Sequence, residues 1–447
     1  MSYTPQADSM NKFRLIFSVF FISSLKIVAQ QAIDSTKEEK FSVHGQSTFI
    51  TQYKPAFSAK YSGANSLTNQ KETEISTTYT LFLGARLWQG ASIYLNLEVA
   101  SGSGLSGSFG VGASTNGETY RIGNPAPTFE LARLYFRQLF PLNRETDYQG
   151  SNQNQLSGKI PTNYISLTVG KICLADFFDL NSYSHDPRTQ FMSWGLMSNG
   201  AWDFAANTRG YTPSIVLEWV TPKNEIRYDF SLLPKTANGM DMNWNISQAG
   251  SQTLEYTRNY LISGKKGAIR LESYLNICNM GNYNESLTLN PSFPDITTTR
   301  KNGRVKYGFC MNDEQAINND LGVFFRAGWN DGKNETWVFT EIDRTVSLGI
   351  SAKGNRWNRP DDTIGLANVV SGLSASHINY LKDGGKGFEL GDGNLNYSLE
   401  NLTEFYYSFL MSKNISLTGT YQHIINPGYN KDRGPVNVLS VRVHLQI

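Results

Sequence analysis

A chain of 447 residues has room for one large structure or for two or three ordinary domains. Only 17% of its residues carry charge, against roughly 25% in ordinary soluble domains, while 13% are aromatic and 39 are Gly. A net charge of +2 excludes a strong field for nucleic acid, and a mean hydropathy of -0.37 excludes a bundle of membrane-spanning helices. Two classes remain: a barrel that crosses lipid with alternating strands, or a secreted β-rich protein that binds or cleaves polysaccharide.

In chain order, Lys12 and Arg14 precede the apolar run from Leu15 to Leu25, and the small residue Ala29 stands before Gln30. A positive region, a short apolar core and a small residue predict a secretory signal peptide over residues 1–30, leaving 31–447 as a single exported domain. The apolar run is too short to serve as a spanning anchor.

After Lys40 the chain reads as strand after strand. Ile75, Thr77, Tyr79, Leu81, Leu83, Ala85 and Leu87 alternate with Ser76, Thr78, Thr80, Gly84 and Arg86. A tight turn at Trp88 to Gly90 follows, and then Ile93, Leu95, Leu97 and Val99 alternate with Ser92, Tyr94, Asn96 and Glu98. The same period of two recurs from Ile165 to Val169, from Ile215 through a turn at Thr221–Asn224 to Leu232, and from Ile269 to Leu275. It returns from Val323 to Trp329, from Val346 to Ile350 and from Val441 to Ile447. Such segments are the signature of strands with one face in lipid. Gly, Asn, Ser and Thr concentrate at 102–127, 149–162, 280–301 and 352–393, which read as loops. At roughly 24 to 28 residues per strand with its connection, the chain makes about 16 strands. The fold class is all-β, a transmembrane antiparallel barrel wide enough to hold water, with long loops on one side.

The non-apolar parity carries Arg86, Glu98, Glu218, Arg227, Asp229, Arg270, Glu272, Arg326 and Arg442. A sheet face in bulk water would carry Lys and Glu freely; prominent Arg with opposite signs across turns predicts a confined lumen. Arg86 and Glu98, on neighbouring strands, should both point into the channel. Cys173, Cys278 and Cys310 lie too far apart in sequence for a metal-spaced pair.

The segment 176–211 is different. Asp176, Asp179, His185 and Asp186 have the chemistry to hold a cation, or to cut a glycoside as paired carboxylates. The flanking aromatics and Pro187 favour a folded loop instead, in which Asp186 caps backbone amides and pairs with Arg188. Phe191, Trp194, Leu196 and Met197 recur at near-helical spacing, predicting a short helix that ends at Asn199 and Gly200. The segment is too long and polar for a turn, yet its aromatics need a dry surface. It is therefore expected to fold inward and narrow the pore. Arg188 and Arg209 would then offer rigid forks to hydroxyls. Trp194 and Trp202 would either stack on a sugar ring or pack the loop to the wall. Near the end, Asn426 to Asn430 reads as a turn, with an ion pair expected between Asp432 and Arg433.

Three segments resemble the carbohydrate-selective porins. The first is Phe41-Ser-Val-His-Gly-Gln-Ser-Thr-Phe-Ile-Thr-Gln52, followed by Pro55, Phe57, Tyr61, Gly63, Asn65, Ser66 and Leu67. The second runs from Asp176-Phe-Phe-Asp-Leu through His185-Asp-Pro-Arg-Thr-Gln-Phe-Met-Ser-Trp194 to Trp202-Asp203 and Asn207-Thr-Arg-Gly-Tyr211. The third is Glu404-Phe-Tyr-Tyr407 with Gln422 and Asn426-Pro-Gly-Tyr-Asn-Lys-Asp-Arg-Gly-Pro435. The resemblance is end to end. It implies a 16-stranded channel in the outer membrane of a Gram-negative bacterium, with an Arg- and acid-lined constriction that passes glucose and other sugars. The chain departs from the pattern at Ile447, where such strands usually end in an aromatic, and the Ala29–Gln30 junction is similar to those of Bacteroidota. The expected partners are small saccharides or other small polar solutes, outer-membrane lipid and, during biogenesis, the barrel-insertion machinery. No cofactor, metal, catalysis or nucleic acid is expected. The alternatives are a general or differently selective porin, and the secreted polysaccharide-binding or cleaving protein.

Overall fold

The period-two alternation closes into a ring. The computed structural model describes residues 38–119 and 125–447; the signal sequence read at 1–30 lies outside them. The first strands are β1 (Phe41–Lys54), β2 (Glu72–Trp88), β3 (Ala91–Gly102) and β4 (Thr128–Pro141), followed by a small separate hairpin of β5 (Thr146–Gln149) and β6 (Gly158–Pro161). Next come β7 (Tyr164–Ile172), β8 (Thr212–Val220), β9 (Asn224–Ser231), β10 (Gly250–Ile262), β11 (Lys265–Met280) and β12 (Lys301–Ala316). The last are β13 (Leu321–Asn330), β14 (Arg344–Gly354), β15 (Arg359–Gly372), β16 (Glu400–Ser412), β17 (Ile415–Ile425) and β18 (Val436–Gln446). Among the described residues, sixteen of these strands form one closed antiparallel barrel. The seam is β1 on β18, in register from Gln46 opposite Gln446 to Tyr53 opposite Leu439.

The ring is inside out relative to a soluble core. Leu348, Phe309, Val441 and Leu271 stand exposed on its outer face, whereas Arg326 and Arg442 are wholly buried within. Apolar groups outside and ion-paired groups inside is the stable arrangement when the surrounding solvent is lipid. Trp88 and Trp357 sit exposed at the short-turn end of the outer face, where amphipathic rings meet headgroups.

Connections alternate between the two ends. Long ones at 55–71, 103–127, 173–211, 232–249, 281–300, 331–343, 373–399 and 426–435 share the loop end. They carry short helices α1 (Trp194–Met197), α2 (Tyr283–Leu289) and α3 (Ala375–Lys382). Two-to-four-residue turns at 89–90, 221–223, 263–264, 317–320, 355–358 and 413–414 share the other end.

Two loop expectations are corrected. Residues 352–393 are not one loop: they contain the end of β14, all of β15 and α3. The inward residues of β15, Gly365, Ala367 and Val369, face a loop held inside the barrel, with Ala367 and Val369 in one apolar cluster with Phe191 and Tyr406. An inner face that meets protein rather than water loses the polar half of the alternation. Residues 149–162 are part of a 142–163 insertion with its own hairpin, and it lies at the short-turn end.

Candidate functional site

The segment 173–211 folds into the barrel, and its irregular backbone has polar groups that must find partners there. The wall supplies them. Arg326 on β13 donates to Asp179 Oδ1 at 3.0 Å and to the carbonyls of Leu196 and Ser184 at 2.8 and 2.7 Å. Arg442 on β18 donates to the carbonyls of Pro187 and Gln190 at 2.6 and 2.9 Å. Glu404 on β16 accepts the amides of Met192 and Ser193 at 2.6 and 2.9 Å. Arg133 on β4 grips Asp176 with two bonds of 2.6 and 2.7 Å. On β11, Tyr274 and Asn276 donate to the carbonyls of Ala201 and Asp203 at 2.9 and 2.7 Å.

A second loop joins from the side. Asp203 accepts the amides of Trp337, Val338 and Phe339 at 2.8 to 2.9 Å, drawing 331–343 inward. That places Phe339 flat against Trp194, ring centres 5.0 Å apart at 10°.

Several wall charges are therefore occupied. Asp229, Arg270, Glu272, Arg326 and Arg442 point inward, as their parity predicts, yet they are buried and do not border the open space. Arg270 reaches Glu314 at 3.3 Å, and Asp229 accepts the Ser231 hydroxyl. For Arg326 and Arg442 the reason is chemical: the arginine forks that would suit a solute also suit loop carbonyls. Trp202 takes the second of its two expected courses and packs. It is 0% exposed, packed against Phe178 and Phe204, with no face left for a solute. Asp432 pairs with Lys60 at 2.6 Å, while Arg433 donates to the carbonyls of Tyr61 and Leu67, so the expected Asp432–Arg433 pair does not form. Arg86 lies near the short-turn rim, where it donates to the carbonyls of Glu39 and Ser157 at 3.0 and 2.9 Å.

One space that stays open is an off-centre cavity of about 610 Å³ between the inner segment and the wall from β2 to β9. Arginines 133, 137, 188, 209 and 227 border it, as do the carboxylates of Glu98, Glu118, Asp176, Asp186 and Glu218. Arg188 spans Glu118 and Glu98, the latter at 3.4 Å. Glu98 also accepts the hydroxyls of Thr80 and Tyr211 at 2.9 and 3.0 Å. Glu218 receives Arg137 at 3.0 Å and Arg227 at 3.2 Å. The stretch from Asn207 to Tyr211 is a local turn. The Asn207 side chain accepts the amides of Arg209 and Tyr211 at 2.9 and 3.2 Å, and Gly210 takes the positive φ of 92° that the turn needs. This turn aims Arg209 at Glu130, 3.2 Å away. Burial pushes the Glu118 carboxyl up to about 6, only partly offset by Arg188. Burial also opposes charge on Asp186, yet Arg188 and the Arg188 amide hold its carboxyl below the usual range. Trp194, Phe204 and Phe339 form the apolar side of the same space.

Arg133, Arg137 and Glu118 were missed by the sequence reading. On β4 the pairing with β3 slips: Leu97 faces Leu131, but Asn96 faces Arg133. The extra residue, Ala132, is a β-bulge that moves the inward parity from even to odd numbers, so Glu130 and Arg133 share a face. Glu118 lies in a loop, which no alternation marks.

Residues 64–447 match the carbohydrate-selective porin, OprB family. The chain belongs to the carbohydrate-selective porin family. Among solved structures this porin is similar to Pseudomonas putida OprB at high pH, with a TM-score of 0.70 and 14% identity over 91% of this chain and 94% of that one. The low-pH structure of the same protein gives 0.50 at 12% identity, covering 91% and 93%. The outer membrane channel DcaP of Acinetobacter baumannii gives 0.50 at 9% identity, covering 92% and 99%. At these identities the likeness is one of fold. No curated protein matches the sequence. The porin is thus an outer-membrane β-barrel of a Gram-negative bacterium, in a family that transports rather than transforms its solutes. The segments that carried the resemblance meet in space: Gln422 stands opposite Glu404 and donates to it at 2.9 Å, supporting the carboxylate that holds Met192 and Ser193.

Proposed function

We propose that this porin passes small saccharides and similar polar solutes by passive diffusion, with the off-centre cavity as the narrow part of the path. The carrying observation is the lattice of five arginines and five carboxylates facing an aromatic wall. Sugar hydroxyls both donate and accept, so a paired guanidinium–carboxylate surface offers both partners, while Trp194 and Phe339 suit the apolar face of a ring. Mutual pairing of the charges keeps each solute contact weak enough for release, as conduction requires. In this reading Glu98, Arg188, Arg209, Glu218 and Arg227 govern solute choice, and Arg86 steadies the rim.

Single-channel current in planar bilayers tests the proposal. Adding glucose or maltose should reduce the current saturably, and Arg188→Ala should raise the half-blocking concentration. A current indifferent to every sugar tried would remove the carbohydrate reading and leave a general porin.

A further inference from the structure

A second and larger space, of about 1410 Å³, opens beneath the inner segment at the short-turn end. Its roof is Ser182, Tyr183, Thr189 and Gln190, and its sides are the strand ends from β10 to β16. One turn of the inner segment separates the two spaces. His185 and Asp186 border the upper cavity, Thr189 and Gln190 border the lower one, and the Gln190 side chain ties them together by accepting the amides of His185 and Asp186 at 2.7 and 3.1 Å.

The 142–163 insertion lies under the upper cavity. Gln153, Asn154 and Gln155 border that cavity from below. The Gln153 and Gln46 side chains bond at 3.0 Å, the Ser157 amide donates to Glu39 at 2.7 Å, and Ser151 bonds His44 at 2.9 Å. The insertion thus lies across the short-turn end of the upper cavity, while the lower space is bordered by the turns of that same end.

The lower space differs in charge. Lys223, Arg258, Lys265, Lys266 and Lys353 border it, against only Glu314 and Asp320. Both carboxylates are already engaged: Glu314 by Arg270 and the Ser182 hydroxyl at 3.3 and 3.2 Å, Asp320 by the Asn355 amide group. Arg258 and Lys265, on the outward parities of β10 and β11, bond Asn224 and Asn319 at the rim, each at 2.7 Å. Lys223, Lys266 and Lys353 are exposed. Lys266 and Lys353 continue the inward parities of Arg270 and of Ser351.

We propose that this basin is an anion-collecting station, and that the porin favours acidic saccharides, those bearing a carboxylate or sulfate, over neutral ones of the same size. This rests on the open-channel reading above and names the solute class within it. A charge-balanced upper cavity admits neutral and charged sugars alike; a basin of one sign enclosed by low-dielectric walls then concentrates anions and repels cations. Lys suits the task, because a hydrated, mobile ammonium attracts without locking its ligand in a fixed fork.

The test uses the full-length porin in planar bilayers under a KCl gradient. The wild type should show a chloride-selective reversal potential and pass glucuronate several-fold better than Lys223→Gln/Lys266→Gln/Lys353→Gln, while half-blocking glucose stays the same in both. In the wild type alone, raising KCl from 0.1 M to 1 M should erase most of the glucuronate preference, because the screening length shrinks from about 10 Å to about 3 Å. Equal reversal potentials in the two proteins, or a glucuronate preference indifferent to salt, would overturn the basin while leaving the sugar channel intact. Loss of sugar block in the wild type would instead overturn the channel reading itself.

Discussion

Glu118 and Arg188 form the most exposed hinge of the charge lattice to pH. Burial raises the Glu118 carboxyl to about 6, so it gains a proton as pH falls through that value rather than near 4.5. Arg188 then loses the Glu118 anion from its partners, keeping Glu98 and Asp186, and the cavity gains one positive charge. Chloride selectivity should therefore rise between pH 7 and pH 5, and Glu118→Gln should hold the low-pH value throughout. A wild-type reversal potential flat across that range would refute the assignment. Residues of opposite parity on β3 should separate just as cleanly. Leu95 faces outward between Leu83 and Leu134, so Leu95→Arg should cost insertion roughly 2 to 4 kcal/mol if it lies near mid-bilayer. Glu98→Gln, inside, should leave heat-modifiable mobility on gels unchanged and alter sugar block instead. Trp202→Ala, which empties a closed aromatic site, should cost about 3 to 5 kcal/mol, seen as a lower unfolding temperature in detergent.

At the scale of elements, what could be read in the sequence follows from what each face touches. Strands such as β2, β3, β8, β9 and β13 have lipid on one side and polar groups on the other, so their alternation is clean and their parities match the structure. β15 hides because its inner face meets the folded loop, and β4 hides because the Ala132 bulge switches its parity halfway. The inward course expected for 176–211 was legible from its length and from aromatics that need a dry surface. Its fastening was not, since nothing in a strand pattern tells an arginine facing water from one facing a carbonyl. The element makes its own prediction. Exchanging Leu196 through Asp203 for a short Gly-Ser link removes the carbonyl bound by Arg326 and the carboxylate that draws in 331–343. The barrel should still insert, with higher conductance and weaker sugar block; unchanged current would take this segment out of the constriction.

For the molecule as a whole, the ring of sixteen strands is wide, and such a ring can turn oval by small changes of angle between neighbouring strands that leave their ladders intact. Here β4, β11, β13, β16 and β18 all bind one inner segment through Arg133, Tyr274, Arg326, Glu404 and Arg442. These contacts are placed like the spokes of a wheel, and the expectation is that they hold a soft hoop round and damp the ovalisation that would open and close the gap beside the hub. Electrically, a braced rim means a quiet pore. Cutting a single spoke, as in Arg326→Leu, should raise low-frequency noise in the open-channel current before it changes the mean, and a power spectrum identical to the wild type would mean the hoop is stiff without its hub.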